Sequence, residues 1–234
     1  MLQINSVNNG NCLDLMSDID DKSIDMILCD LPYGTTACKW DTVIPFEPLW
    51  AHYKRIIKNN GAIVLTASQP FTSALVMSNI KMFKYCWVWH KRTSANVGAA
   101  RFQPLKTHED IVVFAGKYKP IMTTGKNRMK GGKVAGGEAN GSLAPIYYES
   151  NQYFPVSVLE IKSERGLHPT QKPVALFEYL IKTYTNEGEL VLDNCAGSGT
   201  TAIACLRTNR NYILIEQETK YCDITNNRIA EFTP

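Results

Sequence analysis

Residues 189–207 read ELVLDNCAGSGTTAIACLR, and their interpretation decides the fold. "ELVLD" is a short apolar run ending on an acid, the pattern of a buried strand. "AGSGTT" is a glycine turn, and "TAIACLR" continues as a helix. Strand, glycine turn and helix in this order cradle a nucleotide. The glycines let the backbone approach a ligand, and the helix N-terminus presents free N–H groups. "NYILIE" supplies the next strand, and its last residue, Glu216, stands 19 residues after Gly197. An acid there accepts hydrogen bonds from ribose hydroxyls.

Outward from this unit, "PVALFEYLIKTY" is an amphipathic helix with Pro173 suited to its first turn, and Thr219–Phe232 is a closing helix. Far upstream, Ser23–Asp30 (SIDMILCD) is a first strand. "PFEPLWAHYKRIIKNN" carries Leu49, Tyr53, Ile56 and Ile57 at helical spacing, and Asn59-Asn60-Gly61 is expected to close that helix. "GAIVLTA" is a strand, Phe71–Ile80 a second helix, and "YCWVWHK" and "DIVVFA" two further strands. The alternation predicts an α/β, Rossmann-like mixed and mostly parallel sheet covered on both faces. Trp87 and Trp89 share one strand face and are expected in the core. Residues 116–145 are rich in Gly and Lys without periodicity, which fits a linker or a lobe that orders on a partner. Three segments are therefore expected: 1–116, an insertion over 117–165, and 166–234.

Composition excludes several classes. Hydrophobic residues make up 44% and charged residues 20% of the 234, enough apolar material for a core. No apolar run approaches the roughly eighteen residues of a membrane span, and "MLQINSVNNG" lacks a basic segment followed by an apolar one. Neither membrane insertion nor secretion is expected. The seven cysteines form no CxxC pair and the four histidines show no zinc spacing, so a reducing cytoplasm and no protein-bound metal are expected. The net charge of +3 is unevenly spread: Lys81–Lys133 holds 12 Lys or Arg against two acids, Glu109 and Asp110. Such a concentrated excess favours a polyanionic partner.

The first strand runs straight into Asp30-Leu31-Pro32-Tyr33-Gly34. A carboxylate beside an exposed ring suits a flat, polar ligand. An exocyclic base amine is a poor nucleophile because its lone pair is delocalised into the ring. A site that alkylates it needs acceptors for the N–H groups, to draw the nitrogen toward tetrahedral geometry. Asp30 supplies a charged acceptor, and the Leu31 carbonyl, set in extended backbone by Pro32, supplies a second. Tyr33 offers a face for a flipped-out base.

For the glycine turn, Gly197-x-Gly199-x-x-Ala202 also satisfies a dinucleotide fingerprint. Asp193 at the strand tip opposes a pyrophosphate but suits a cofactor carrying a sulfonium and an ammonium. S-adenosylmethionine is therefore favoured over NAD.

Taken together, "DLPYG", "DNCAGSGTT" and "HPTQKP" (His168–Pro173) resemble the catalytic, cofactor and cofactor-carboxylate motifs of DNA amino-methyltransferases. Their order, catalytic motif first, resembles the beta class of N6-adenine and N4-cytosine enzymes. The likeness spans most of the chain outside the variable basic stretch. It implies a permuted methyltransferase fold, base flipping and S-adenosylmethionine as cofactor. It implies Asp30, Leu31, Pro32 and Tyr33 as catalytic. Around the cofactor it places Asn11, Asp30, Asp193, Cys195, Ala196, Gly197, Ser198, Gly199 and Thr200, with Glu216 on the ribose. Thr170, Gln171 and Lys172 would approach the methionine carboxylate. Lys91, Arg92 and Arg101 would lie on DNA phosphates, and Lys126, Arg128, Lys130 and Lys133 in the target-recognition insertion. Double-stranded DNA is the implied partner, with a homodimer and a cognate restriction nuclease as further ones. Leu31 departs from the family's first proline, Cys195 from its usual Phe, and Asn11 from its usual Asp. Asp at position 30 favours adenine over cytosine. RNA and protein-glutamine methyltransferases usually place the aromatic turn after the cofactor motif, and an inactive DNA-binding module of the same fold is the non-enzymatic alternative.

Overall fold

The computed structural model describes residues 2–36, 38, 41–94, 96–132, 146–164, 166 and 171–232. Contacts divide the chain into a large unit, residues 2–118 with 157–232, and a small one, Lys119–Val156.

The large unit is built on a sheet of β1 (Ser6–Asn9), β2 (Ile24–Cys29), β3 (Ile57–Ala67), β4 (Phe83–His90), β5 (His108–Ala115), β8 (Val158–Glu160), β9 (Leu190–Asp193) and β10 (Asn211–Glu216). Their order is β1-β10-β9-β2-β3-β5-β4-β8. The first five run parallel to one another, β5 is antiparallel to both β3 and β4, and β8 is parallel to β4. The helices are α1 (Cys12–Leu15), α2 (Phe46–Ile56), α3 (Phe71–Ser78), α4 (Val174–Tyr184), α5 (Thr200–Arg207) and α6 (Thr219–Ala230).

Strand alternation sends β2 into two cores. Met26 and Leu28 pack with α4 and α5, while Ile27 and Cys29 pack with α2 and α3. Every residue of β2 except Asp25 is buried, as a central parallel strand covered on both faces requires. Trp87 and Trp89 are buried in the α4–α5 core. Among the described residues no helix is long and apolar enough to cross a membrane.

Two expectations change. The helix expected to run to Asn59-Asn60-Gly61 ends at Ile56, and Ile57 is already extended. Ile57 pairs with Ile24, Lys58 forms an ion pair with Asp25 at 2.8 Å, and residues 58–61 bulge before pairing resumes at Met26–Ala62. Gly61 is demanded by that bulge: a Cβ there would sit 2.8 Å from the Asp25 carbonyl. Consecutive β-branched isoleucines and a waiting strand partner outweigh the helical spacing.

The small unit is a β-ribbon, not an aperiodic linker. β6 (Thr123–Gly132) pairs antiparallel with β7 (Ile146–Tyr153). Its strands leave no trace in the sequence pattern because they bury almost nothing and carry no apolar alternation. Their pairing is held by polar contacts: the Tyr153 hydroxyl donates to the Lys126 carbonyl at 2.7 Å, and the Lys130 ammonium lies 3.5 Å from the Tyr153 ring centre.

Candidate active site

Parallel pairing brings the ends of β2, β9 and β10, hence Asp30, Asp193 and Glu216, to one edge of the sheet. Because β5 runs the other way, its first residues reach the same edge. Glu109 there faces Trp89 at the end of β4, and Asp110 faces Ala67 at the end of β3. The order reverses between β9 and β2, the place where open α/β sheets bind ligands. A cavity of about 880 Å³ opens there, lined by both the catalytic turn and the glycine turn. That is ample for a small-molecule site.

The glycine turn is tied to its own acids. Gly197 N–H donates to Glu216 Oε2 at 2.8 Å, and Glu218 N–H to Oε1 at 2.8 Å. Cys195 N–H donates to Asp193 Oδ1 at 3.1 Å, and the Thr201 hydroxyl closes on Oδ2. Ala196 N–H bonds the Ile215 carbonyl and Gly199 N–H the Ala196 carbonyl. Four backbone N–H groups of the turn are therefore engaged within the protein, and two carboxylates stand beside them. Asp193 opposes a pyrophosphate, and the anionic surroundings suit a positively charged cofactor. Burial pushes the Asp193 carboxyl up to about 6 against the opposing bonds from Thr201 and Cys195. Burial likewise raises Glu216, opposed by the Glu218 and Gly197 N–H groups.

Asn11, Gln171, Cys195, Ala196, Ser198, Thr200 and Glu216 all line the cavity. Asn11 also caps α1, its Oδ1 accepting the Leu13 N–H at 2.9 Å. Gly199 has another reason to be glycine. At φ +76°, a Cβ would lie 2.4 Å from Thr225 Cγ2, so its hydrogen admits α6. Thr225 and Arg228 of α6 in turn hold the Gly197 and Ser198 carbonyls at 3.0 Å each. Thr170 and Lys133 lie outside the described residues.

In the catalytic turn, the Tyr33 hydroxyl donates to Asp30 Oδ1 at 2.8 Å, and the Thr66 hydroxyl bonds the same oxygen. The Tyr33 ring stacks on Phe71, centroids 5.2 Å apart, which fixes the plane a base would meet. Burial and the neighbouring Asp30 carboxylate raise the phenol well above its ordinary value, so it stays a donor. Leu31 is buried. Beyond the turn, Asp41 accepts the N–H groups of Gly34, Thr35 and Thr36 at 2.7–2.9 Å and clamps the loop. Burial raises the Asp41 carboxyl, but these bonds outweigh it and hold it below its ordinary value.

Two lysines stand elsewhere than expected. The Lys172 ammonium, 5% exposed, bonds Asp30 Oδ2 at 2.6 Å and lies 3.4 Å from Glu109 Oε2. It lines the cavity and is paired there with two carboxylates of the chain. Burial lowers its pKa, but Asp30 and Glu109 more than offset this, so it is held charged. Lys91, expected on phosphates, is half-buried and paired with Glu109. Arg92 is exposed and pairs with Glu160 at 3.4 Å; Arg101, Lys126 and Arg128 are exposed, and Lys130 is half-buried.

Glu109, Thr66, Asp41 and Tyr53, whose hydroxyl bonds Asn194 Oδ1 at 2.6 Å, were not picked out from sequence. Glu109 had a signal: an acid flanking an apolar strand, the pattern of Asp30 with chain direction reversed.

The family model described as DNA methylase, of the N6/N4 type, matches residues 24–227. The chain belongs to the DNA methylase family. As a DNA methylase it is an enzyme, a methyltransferase acting on DNA with S-adenosylmethionine as methyl donor, on the α/β fold of that family. The Type II methyltransferase M2.MboI of Moraxella bovis is 28% identical over 98% of this chain and 89% of its own. M1.MboII of the same organism is 27% identical over 97% and 96%. Among solved structures, the M1.HpyAVI–SAM complex matches with a TM-score of 0.66 at 24% identity, covering 95% of this chain and 98% of that one. The PvuII cytosine-N4-specific DNA methyltransferase matches at 0.69 and 15%, covering 97% and 88%. These last two likenesses show the fold.

Proposed function

We propose that this DNA methylase methylates N6 of adenine at specific sites in double-stranded DNA, acting on a base turned out of the helix. The observation that carries the reading is the Asp30 carboxylate, held beside the Tyr33 ring in the same cavity as the glycine turn. Asp rather than Ser at this position goes with adenine in the family it resembles.

Bound S-adenosylmethionine supplies a methyl group on a sulfonium sulfur. The residues that would hold it are Asn11, Asp193, the turn 195–200 and Glu216; the anionic surroundings suit its charge. The chain's own contribution lies at the amine. Asp30 Oδ2 and the Leu31 carbonyl accept the two N–H groups, which localises the nitrogen lone pair for attack. Asp30 also stabilises the positive charge that develops there, and the extra proton leaves the alkylated nitrogen afterwards. Tyr33 and Phe71 set the plane of the base, with stacking worth about 1–3 kcal/mol.

The small unit, with Lys126, Arg128 and Lys130 on its β-ribbon, is the target-recognition element of this proposal. The "Type II" in the relatives' names supports a bacterial restriction–modification setting, with a cognate nuclease as partner and the cytoplasm as workplace. A homodimer completes the proposal. Modification-sensitive sequencing of DNA from cells expressing the protein tests it. N6-methyladenine at a recurrent short sequence is the expected result; N4-methylcytosine would reassign the base.

A further inference from the structure

Four charged side chains meet at the mouth of the catalytic turn: Asp30, Lys172, Glu109 and Lys91. Both oxygens of Asp30 are occupied. Oδ1 accepts from Tyr33 and Thr66, and Oδ2 accepts from the Lys172 ammonium at 2.6 Å. A target amine therefore finds Oδ1 taken by two donors and Oδ2 already shared with a positive charge. Glu109 is the opposite case. Its Oε1 is held by Lys91, while Oε2 is buried and accepts no hydrogen bond; among the described residues only His52 Nδ1 shares that condition. This unfilled oxygen lies 3.4 Å from the Lys172 ammonium, so a shift of less than about 1 Å would bring the two into a charge-assisted bond.

We propose that Glu109 is a positioning residue that receives the Lys172 ammonium when the target amine takes its place on Asp30 Oδ2. The inference rests on the reading of Asp30 as the amine acceptor. An ammonium that stayed on Oδ2 would take up one of its two lone pairs, weaken it as an acceptor and repel the positive charge that grows on the nitrogen. Glu109 draws the ammonium aside and keeps it charged and paired, so no buried charge is stranded during the exchange. Asp30 follows β2 and Glu109 lies in β5, two strands that flank β3 in the sheet, and Glu109 is fixed by its register with Trp89. Only the lysine side chain has to move.

A double-mutant cycle on the full-length protein with duplex DNA tests this, using Glu109→Gln, Lys172→Met and their combination. Glu109→Gln should lower kcat about 10- to 100-fold while KM for DNA and cofactor affinity stay within about twofold. Glu109→Asp should recover part of kcat, and in the Lys172→Met background Glu109→Gln should change kcat by less than about threefold. Wild-type kcat in Glu109→Gln, or an equal loss with and without Lys172, overturns the proposal. If Lys172→Met is inactive, a crystal structure with target DNA decides: Lys172 Nζ bonded to Glu109 Oε2 and off Asp30 supports it, and Nζ still on Asp30 Oδ2 overturns it. Wild-type protein that methylates no base amine would instead remove the underlying reading of Asp30.

Discussion

Replacing Asp30 by Asn keeps the shape of the side chain and one carbonyl acceptor, but removes the charge. In the wild-type protein the carboxylate accepts from Lys172 at 2.6 Å and from Tyr33 at 2.8 Å. A hydrogen bond to a charged group contributes about 1.5–3 kcal/mol. If that bond is made most strongly to the amine in the transition state, its loss lowers kcat by about 10- to 160-fold. Asp30→Ala removes the acceptor altogether and leaves the buried Lys172 with Glu109 alone, so transfer should fall below detection. Breaking a buried pair from one side also costs about 3–5 kcal/mol of stability. Asn is therefore the cleaner test, and thermal unfolding should show which variants remain folded. The assay is single-turnover transfer of a labelled methyl group to duplex DNA, with cofactor affinity measured by calorimetry. Cofactor affinity should stay nearly unchanged in Asp30→Asn. A folded Asp30→Asn that transfers at the wild-type rate would refute the role given to the carboxylate.

Glu216→Gln should weaken S-adenosylmethionine binding by about 1.5–3 kcal/mol in calorimetry, since the carboxylate holds the Gly197 and Glu218 N–H groups and faces the cavity. Unchanged affinity would take Glu216 out of the site. NAD should not bind, because four of the turn's N–H groups are engaged and Asp193 repels its phosphates; tight NAD binding would reverse the cofactor reading. Asp193, raised to about 6, holds its proton more tightly folded than unfolded. The cofactor-free wild type should therefore lose stability relative to Asp193→Asn as pH rises from about 4 to about 6, by about 3 kcal/mol, read from urea unfolding. A difference that is flat or grows with pH contradicts this. Replacing Lys126, Arg128, Lys130 and Lys133 by Ala should flatten a salt slope for DNA binding of about −4, by about 0.9 for each phosphate no longer neutralised. An unchanged slope would make them a solvated face.

The sheet's central strands were legible because they are buried on both faces and announce themselves as unbroken apolar runs. Asp30 and Asp193 were legible because each ends such a run beside a turn of distinctive residues. Glu109 was not, because its meaning depends on β5 running antiparallel, and direction is set by pairing across the sheet. Lys172 was read by its neighbours in "HPTQKP", yet its partners stand 142 and 63 residues away in the chain. Lys91 looked like one basic residue among many until folding paired it with Glu109. The β6–β7 ribbon stayed hidden because polar cross-strand contacts leave no periodic trace in hydropathy. Gly199 shows the converse, a residue singled out for a ligand whose visible constraint is the approach of Thr225.

The destination of the methyl group tests the central claim most directly. Purified protein incubated with duplex DNA and S-adenosylmethionine labelled in its methyl group, followed by digestion to nucleosides and mass spectrometry, reads this out. Label on N6-methyladenine with the wild type, and none with an Asp30→Ala protein that still binds the cofactor, is the predicted result. Label on cytosine, no labelled nucleoside, or equal labelling by Asp30→Ala would contradict it.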